Sequence, residues 1–372
     1  MPFDIHVVNE MTSEKHKHLF CSRPFQYLEV ASKPRGKAFL CCPSWLPVST
    51  GIVGEDSVEE VWNGKRAQAV RESILDGSFR FCNAHCPFLQ TVSGPVQEIQ
   101  WMADTEMLDI VRDRRTVVLG PKVVNAAFDR SCNLSCPTCR TEHLIEREAS
   151  ADIRKLQSIV ESEVLPNAEL LYVTGSGDAF GSPFFLAWLR SLRVCDKPRL
   201  RIHLHTNAQL WTPNIWAKIS ADVRERIVSA EISIDAASSG TYQLNRRGGD
   251  WETLLQNLKF ISGLRAQGPL THLILHMLVQ ENNFYEVPGF VELGNAFCAD
   301  QIYFSHLAHW GTFSREELRA RSIHLPGHPK HEQFLEVLKH PSLRSEKVDL
   351  GNLSKLTEGW QSQVPGVKHK RM

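Results

Sequence analysis

The chain has 372 residues, which is enough for more than one domain or for a single barrel with additions. Its 42 basic and 42 acidic residues balance, so charge gives no sign of a nucleic-acid partner or of binding to an acidic membrane surface. The first twenty residues lack the features of a signal peptide, and no apolar run is long enough to span a membrane. We therefore expect a cytoplasmic protein that binds neither nucleic acid nor membrane.

The first hundred residues predict an irregular region that carries half of the cysteines. Residues 56–77 predict one helix within it, which Asp56 or Ser57 can cap and Gly77 can close. In a reducing compartment the ten cysteines of the chain are poor candidates for disulfides, so metal binding is the leading explanation for them. The cysteines of this region are Cys21, Cys41, Cys42, Cys82 and Cys86.

From about residue 122 to about residue 307, short apolar runs alternate with longer amphipathic stretches. This rhythm predicts a parallel sheet built from right-handed βαβ units, and six units suit a partial barrel better than a full eightfold one. The predicted strands are 123–128, 169–175, 201–207, 230–235, 273–279 and 301–306. The predicted helices between them are 151–164, 182–194, 213–227 and 250–267. A further short helix is predicted at 332–340, after several turn signals.

Three cysteines lie within eight residues directly after the first strand of this repeating region. Cys132, Cys136 and Cys139 therefore occupy the first βα loop, at the sheet edge where such folds place their functional sites. His143 could complete a structural zinc site with four ligands. A 4Fe-4S cluster held by only three cysteines would instead leave one iron open to a further ligand. The spacing alone leaves both alternatives open.

This pattern, Cys132-x3-Cys136-x2-Cys139 in the first βα loop, resembles the signature of the radical S-adenosylmethionine (SAM) superfamily. The resemblance covers about 185 residues, roughly half of the chain. It implies that the three cysteines bind a 4Fe-4S cluster whose unique iron binds SAM. It also implies reductive cleavage of SAM to a 5'-deoxyadenosyl radical, which abstracts hydrogen from a substrate C–H bond. The electron donor would be a protein such as flavodoxin or ferredoxin.

Polar segments after the later strands resemble the SAM-contacting segments of the same superfamily. The glycine-rich segment after the second strand matches the one that receives the methionyl amino group, and the Arg246 segment matches one that directs an arginine toward the SAM carboxylate. Ser233 and Asp235 point the same way along a strand and can hydrogen-bond a ribose. The expected cofactor-binding residues are Gly175, Ser176, Gly177, Asp178, Thr206, Asn207, Ser233, Asp235, Arg246 and Asn283.

Other residues near the expected barrel mouth have less specific patterns. His205 and His306 are possible substrate contacts, and Trp310 could wall the pocket. Thr138 occupies a position that is often aromatic in the superfamily, so packing against adenine must come from elsewhere. Cys195 and Cys298 are expected to be buried small apolar residues rather than hydrogen-atom donors.

The N-terminal pattern Cys21-x14-Gly36-x4-Cys41 resembles the entry half of the SPASM and twitch auxiliary-cluster domains of radical SAM enzymes. It implies a second 4Fe-4S cluster, for which Cys42 is not needed as a ligand. Two alternatives remain open: Cys42 could be the ligand in place of Cys41, and the metal could be zinc in place of iron. That domain ordinarily follows the barrel and has more cysteines, whereas here it precedes the barrel. The implied ligands are Cys21, Cys41, Cys82 and Cys86.

The resemblance predicts three domains and a broad function. They are an auxiliary iron-sulfur domain at 1–105, a radical SAM partial barrel at 118–308 and an extension at 309–372 that covers or flanks the barrel. The expected reaction is an oxidation or other modification of a peptide, a glycan or a small metabolite. The alternative is a non-enzymatic zinc-binding scaffold that uses the same cysteines. The sequence identifies no catalytic side chain, substrate or oligomeric state.

Overall fold

The computed structural model describes residues 16–84, 86–268, 270–308 and 311–357. Trp310, predicted as a pocket wall, and the outer parts of the predicted domains 1–105 and 309–372 lie outside these residues. The strands are β1 (Leu19–Cys21), β2 (Tyr27–Ser32), β3 (Arg35–Phe39), β4 (Ser49–Ile52), β5 (Val96–Glu98), β6 (Val123–Ala127), β7 (Leu170–Val173), β8 (Arg201–Thr206), β9 (Ile227–Ser233), β10 (His272–Val279), β11 (Gln301–His306) and β12 (Val348–Asp349).

The α-helices lie between these strands and after them. They are α1 (Arg23–Gln26), α2 (Val58–Asn63), α3 (Lys65–Leu75), α4 (Pro87–Thr91), α5 (Thr105–Asp113), α6 (Ser150–Ile159), α7 (Pro183–Ser191), α8 (Pro213–Ala217), α9 (Ala221–Arg224), α10 (Ser239–Asn245), α11 (Trp251–Gln267), α12 (Val287–Ala296), α13 (Arg315–Arg321) and α14 (His331–Leu338). A π-helical turn, Val160–Val164, continues α6, so the predicted helix 151–164 forms over nearly its full length.

A ten-stranded sheet organises the chain, in the order β12-β11-β10-β9-β8-β7-β6-β2-β3-β4. Strands β6 to β11 are neighbours in chain order and pair in parallel, as expected of consecutive right-handed βαβ units. They coincide with the six strands predicted from sequence. The predicted α/β fold with a parallel (β/α)6 partial barrel is therefore confirmed.

The two faces of this sheet have different chemistry. In β10, every second residue is fully buried, and that face packs on α11 and α12. The residues between them are only half-buried and include the polar His272 and His276. The same alternation in β8 and β9 places His203, His205 and Glu231 on this second face, which we call the inner face.

The N-terminal region is more regular than expected, because it extends the barrel sheet. Strand β2 pairs in parallel with β6, and β3 and β4 add antiparallel strands beyond β2. These strands are only four to six residues long, and β3 and β4 each contain a glycine, so their sequences show little period-2 alternation. The prediction of an irregular region was wrong in this respect.

The helix predicted at 56–77 is interrupted. Gly64 adopts an extended conformation between α2 and α3, so two helices replace the predicted one. Ser57 caps α2 by accepting a hydrogen bond from the Glu60 backbone N–H at 3.1 Å. Asp56 instead accepts a bond from the Ile52 N–H, and Gly77 ends α3 with φ +76°. The predicted helix 213–227 is likewise split, into α8 and α9.

The described part of the C-terminal region adds to the far edge of the sheet. Strand β12 pairs with β11, and the 3-10 turn Gly351–Thr357 packs against β11. Cys195 and Cys298 were expected to be buried, and this prediction is wrong for both, because both thiols are exposed. Each follows a short helix at the surface rather than packing beneath it.

No helix of the described residues is long and apolar enough to cross a membrane.

We expect the barrel strands to depend on the N-terminal region for stability. A fragment that starts at residue 118 would leave the β6 edge unpaired and remove Leu28, Val30 and Trp62 from the main hydrophobic core. The fragment 118–357 should therefore aggregate or unfold at a lower temperature than the full chain, as measured by circular dichroism and gel filtration. A soluble fragment with an unchanged unfolding temperature would contradict this dependence.

Candidate functional site: two sets of buried thiols

The loop after β6 folds into a compact turn around the three predicted ligands. The Cys132 N–H donates to the Leu144 carbonyl at 2.9 Å, and the N–H groups of Cys139 and Arg140 both donate to the Cys136 carbonyl. Cys132 and Cys136 are buried, whereas Cys139 is exposed. The turn therefore places the three thiols at the carboxyl end of the first barrel strand, one of them at the surface.

Each of the three sulfurs faces a nitrogen donor. Asn207 Nδ2 lies 3.6 Å from Cys132 Sγ, a guanidinium nitrogen of Arg140 lies 3.3 Å from Cys139 Sγ, and one of Arg246 lies 3.8 Å from Cys136 Sγ. Burial raises the pKa of the Cys132 thiol to about 12 and raises that of Cys136. Thiolates at this site therefore depend on the two guanidiniums and on a cationic ligand.

Neither thiol set has the geometry of a closed single-ion site. Among the described residues, no three or more Cys, His, Asp or Glu side chains are grouped so that they could hold one metal ion. His143, the proposed fourth ligand, is exposed.

Asp178 connects the second and third strand ends. Its buried carboxylate accepts hydrogen bonds from four donors, at 2.7 to 3.0 Å. Two predicted cofactor residues, Thr206 and Asn207, are thus aligned by Asp178, and Asn207 reaches Cys132 from there. These contacts support a positioning role for Asp178, which holds Thr206 and Asn207 in place. The four donors are the N–H groups of Phe180, Gly181 and Asn207 and the hydroxyl of Thr206.

Arg246 is the arginine that points inward, and Arg247 is exposed. The Arg246 guanidinium lies 2.7 Å from an Asp235 carboxylate oxygen, and both side chains are nearly excluded from solvent. The other Asp235 oxygen accepts the Leu278 N–H at 2.7 Å. Ribose binding by Asp235 would therefore have to replace one of these contacts.

Asn283 and Ser233, two further predicted cofactor-binding residues, differ in whether their side chains remain free to contact a ligand. Asn283 is fully buried, and its amide closes the end of β10 by bonding the carbonyls of Asp235 and Leu278. Ser233 faces the inner side, 3.1 Å from His205 Nε2. Of these two, Ser233 is the one placed to contact a ligand.

The glycine-rich segment after β7 lies against the cysteine loop. A Cβ on Gly177 would lie 2.6 Å from the Ser131 carbonyl oxygen, so glycine is required for this close approach. The Ser176 hydroxyl donates to the carbonyls of Ala127, at the end of β6, and of Asp129, in the first loop, and Gly175 is exposed. The segment therefore packs against the backbone that leads into the three-cysteine loop.

The four N-terminal thiols predicted as cluster ligands line one cavity. Cys21, Cys41, Cys82 and Cys86 all contribute to it, whereas Cys42 does not. Burial raises the pKa of the Cys21 thiol to about 12 and raises those of the other three. Four such thiols around one apolar cavity need a cationic group to ionise together. The remaining lining includes Arg23, Trp45, Leu46, Phe79, Phe88 and Leu89.

Arg23 is a site residue that the sequence analysis missed. It lines the cavity, and its guanidinium stacks 4.5 Å from the centre of the Tyr27 ring. Charges of Tyr27, Cys41, Tyr172 and Cys21 raise the pKa of Arg23 against its burial. Its position directly after the Cys21-Ser22 pair at the start of α1 was the available signal.

Strand register places the two thiol sets at opposite ends of the sheet. Cys132 follows the carboxyl end of β6, whereas Cys21 precedes β2, which runs parallel to β6. Cys41 follows β3, whose end lies beside the start of β2 because the two strands are antiparallel. The inner face of the sheet therefore lies between the sites.

Comparison with known proteins agrees with the N-terminal assignment. Residues 21–87 match the model of the SPASM family, an iron-sulfur cluster-binding domain. This range contains all four cavity thiols, and the match confirms the SPASM-like domain expected from the sequence. The chain therefore contains an iron-sulfur cluster-binding domain of the SPASM kind. No curated protein matches the chain.

Solved structures give only weak likenesses. SuiB of Streptococcus suis bound to S-adenosylmethionine matches with 11% identity and a TM-score of 0.36 over 67% of this chain and 54% of SuiB. TYW1 with a lysine-pyruvate adduct matches with 16% identity and a TM-score of 0.36 over 58% and 71% of the two chains. AdoMet-bound anSMEcpe matches with 14% identity and a TM-score of 0.37 over 50% and 51%. These values are too low to support an argument about function, and the matches span about half of SuiB and of anSMEcpe.

Replacing Arg23 should change the redox potential of a cluster in the N-terminal cavity. Arg23→Met removes a buried positive charge from the cavity wall, which favours the oxidised cluster and lowers its midpoint potential. We expect a decrease of roughly 50 mV or more, which corresponds to about 1 kcal/mol for one electron. The measurement is a redox titration monitored by electron paramagnetic resonance.

Arg80→Met is the matched control for Arg23→Met. Arg80 lies in the same domain but is 38% exposed and pairs with Asp76, so its loss should leave the potential unchanged. Equal shifts in both variants would contradict a local effect of Arg23.

Asp178→Asn should destabilise the protein and loosen the third strand end. The amide cannot accept all four hydrogen bonds, so buried donors lose partners at a cost of about 1–3 kcal/mol each. We expect a thermal unfolding midpoint lower by several degrees. The exposed Asp222 of α9 supplies the control variant Asp222→Asn, and a midpoint equal to that of this control would contradict the positioning role.

Proposed function

We propose that the chain is a radical SAM enzyme whose SPASM domain holds an auxiliary iron-sulfur cluster. The observation that carries the proposal is the loop of Cys132, Cys136 and Cys139 at the carboxyl end of the first of six sequential parallel strands. Three thiolates in this position suit a cluster with one open iron.

The surroundings of the three thiols support an iron-sulfur cluster over zinc. Arg140, Asn207 and Arg246 direct donors at sulfur, and sulfurs of a cluster accept such bonds, which tune its potential. A closed structural zinc site would require a fourth protein ligand. The candidate for that ligand, His143, is exposed.

The chain's own residues would bind and orient the SAM molecule. The exposed Gly175 would present its backbone to the amino end, and the inward Arg246, which lies 3.8 Å from Cys136 Sγ, would bind the carboxylate beside its contact with Asp235. Ser233 is available for the ribose. The bound cluster and SAM supply a 5'-deoxyadenosyl radical that removes a hydrogen atom from the substrate.

The N-terminal cavity supports a net oxidation of that substrate. Four thiolates from Cys21, Cys41, Cys82 and Cys86 would complete the coordination of a second 4Fe-4S cluster, so it would carry an electron rather than bind substrate. The electron donor for SAM cleavage would be a flavodoxin or ferredoxin. The substrate would be a peptide, a glycan or a small metabolite.

Cluster content and SAM cleavage test the proposal together. Anaerobically reconstituted protein should contain about eight irons per chain, in two cubanes, and form 5'-deoxyadenosine with dithionite. Cys136→Ala should abolish this formation. Cys82→Ala should still form 5'-deoxyadenosine, while its iron content falls by about four atoms per chain.

The same measurements contain the result that rejects the proposal. Zinc at Cys132, Cys136 and Cys139, or undiminished SAM cleavage by Cys136→Ala, would exclude the assignment. Cys298→Ala, an exposed thiol outside both sites, serves as the control for nonspecific effects of cysteine loss.

A further inference from the structure

The centre of the inner face carries a carboxylate that neither thiol site uses. Glu231 projects from β9 between His205 of β8 and His276 of β10. Its Oε1 lies 3.6 Å from His205 Nε2 and 3.1 Å from His276 Nδ1. The Glu231 side chain retains 19% exposure, so it is accessible from the inner side of the sheet.

Hydrogen bonds fix the two histidines in place. His276 Nε2 lies 2.8 Å from the Ser305 hydroxyl, and His205 Nε2 lies 3.1 Å from the Ser233 hydroxyl. The His276 ring also packs on Tyr303, with ring centres 4.8 Å apart. The imidazoles therefore lie on either side of the carboxylate, each with a hydroxyl partner of its own.

The surroundings keep Glu231 anionic without a permanent cation. Burial would raise its pKa, but the charges of the adjacent His205 and His276 lower it far below the usual range. Burial lowers the pKa of the neighbouring His203 to about 4, so this third histidine is neutral at pH 7. Among the described residues no lysine or arginine pairs with Glu231, whose recorded ion pairs are with the two histidines.

The position of Glu231 relates it to the proposed cofactor. Ser233, the proposed ribose contact, is two residues further along β9 on the same face, about 7 Å away at roughly 3.3 Å per residue. A group bound at Glu231 thus lies directly inside the strand ends that would hold SAM. This is the space that a substrate of the proposed enzyme must enter.

We infer that Glu231, flanked by His205 and His276, binds an alkylammonium group of the substrate. The inference rests on the proposed function and narrows its substrate to a molecule with a primary amine, either free or borne by a lysine side chain. A partly desolvated carboxylate flanked by two imidazoles, with no lysine or arginine paired to it among the described residues, favours a cation over a neutral group of equal size. The ammonium, unlike an imidazole, stays charged at pH 7.5.

Binding of simple amines to the intact holoenzyme tests the inference. The protein, reconstituted with both clusters and SAM, is titrated with n-pentylamine or with the blocked tripeptide acetyl-Gly-Lys-Gly-amide, and binding is followed by saturation-transfer NMR. n-Pentanol and acetyl-Gly-(6-hydroxynorleucine)-Gly-amide, in which a hydroxyl replaces the amine, are the neutral probes of equal length. We expect at least one amine to bind tenfold or more tightly than its neutral match, and the better amine identifies a free or a peptide-borne source.

Variants assign the effect to Glu231. Glu231→Gln should weaken amine binding about tenfold or more, and Glu231→Asp, which keeps the charge, should weaken it less. Glu29→Gln is the matched control, because Glu29 lies on β2 of the same sheet but is engaged by Tyr27 and Asn125. Amine binding should be unchanged in that variant.

Each failure has a distinct meaning. The inference would be overturned if the wild type bound amines and neutral probes equally tightly, or if Glu231→Gln bound amines as tightly as the wild type does. Either result would count against it even if SAM is cleaved. The wild-type comparison stands if Glu231→Gln fails to fold. Absence of SAM cleavage would reject the proposed function instead.

Discussion

Buried thiols are the constraint on which this structure depends. Seven cysteines line two sites, and burial raises the pKa of six of them, whereas the seventh, Cys139, lies at the surface. Such thiols ionise together only beside positive charge. Both sites provide part of that charge with arginines, Arg23 in one and Arg140 with Arg246 in the other. A cluster containing iron would provide the rest.

The sheet relates the two sites to each other. Because β2 continues the parallel order of β6 to β11, the N-terminal region is part of the barrel sheet rather than a separate appendage. One thiol set lies at the amino end of the strands and the other at the carboxyl end. The polar inner face between them is the surface along which substrate, proton and electron would have to be arranged.

Several residues expected to bind the cofactor instead hold the site together. Asp178, Asp235 and Asn283 have most of their hydrogen-bonding capacity filled by protein groups. Their contacts join loops that are far apart in the chain, and these loops carry the groups that remain available. A polar residue at a strand end thus supports a ligand site in two ways, by direct contact or by positioning.

The sequence by itself determined the six parallel strands, the three-cysteine loop and the SPASM-like pattern, because hydrophobic alternation and ligand spacing are local properties. Only the tertiary structure decided that Cys41 rather than Cys42 lines the N-terminal cavity, that Arg246 rather than Arg247 points inward, and that Arg23 joins the four thiols. The isolated Glu231 gave no signal, since its surroundings come from strands more than twenty residues away on either side. Burial and charge pairing between distant segments arise only when the strands align, so no local pattern records them.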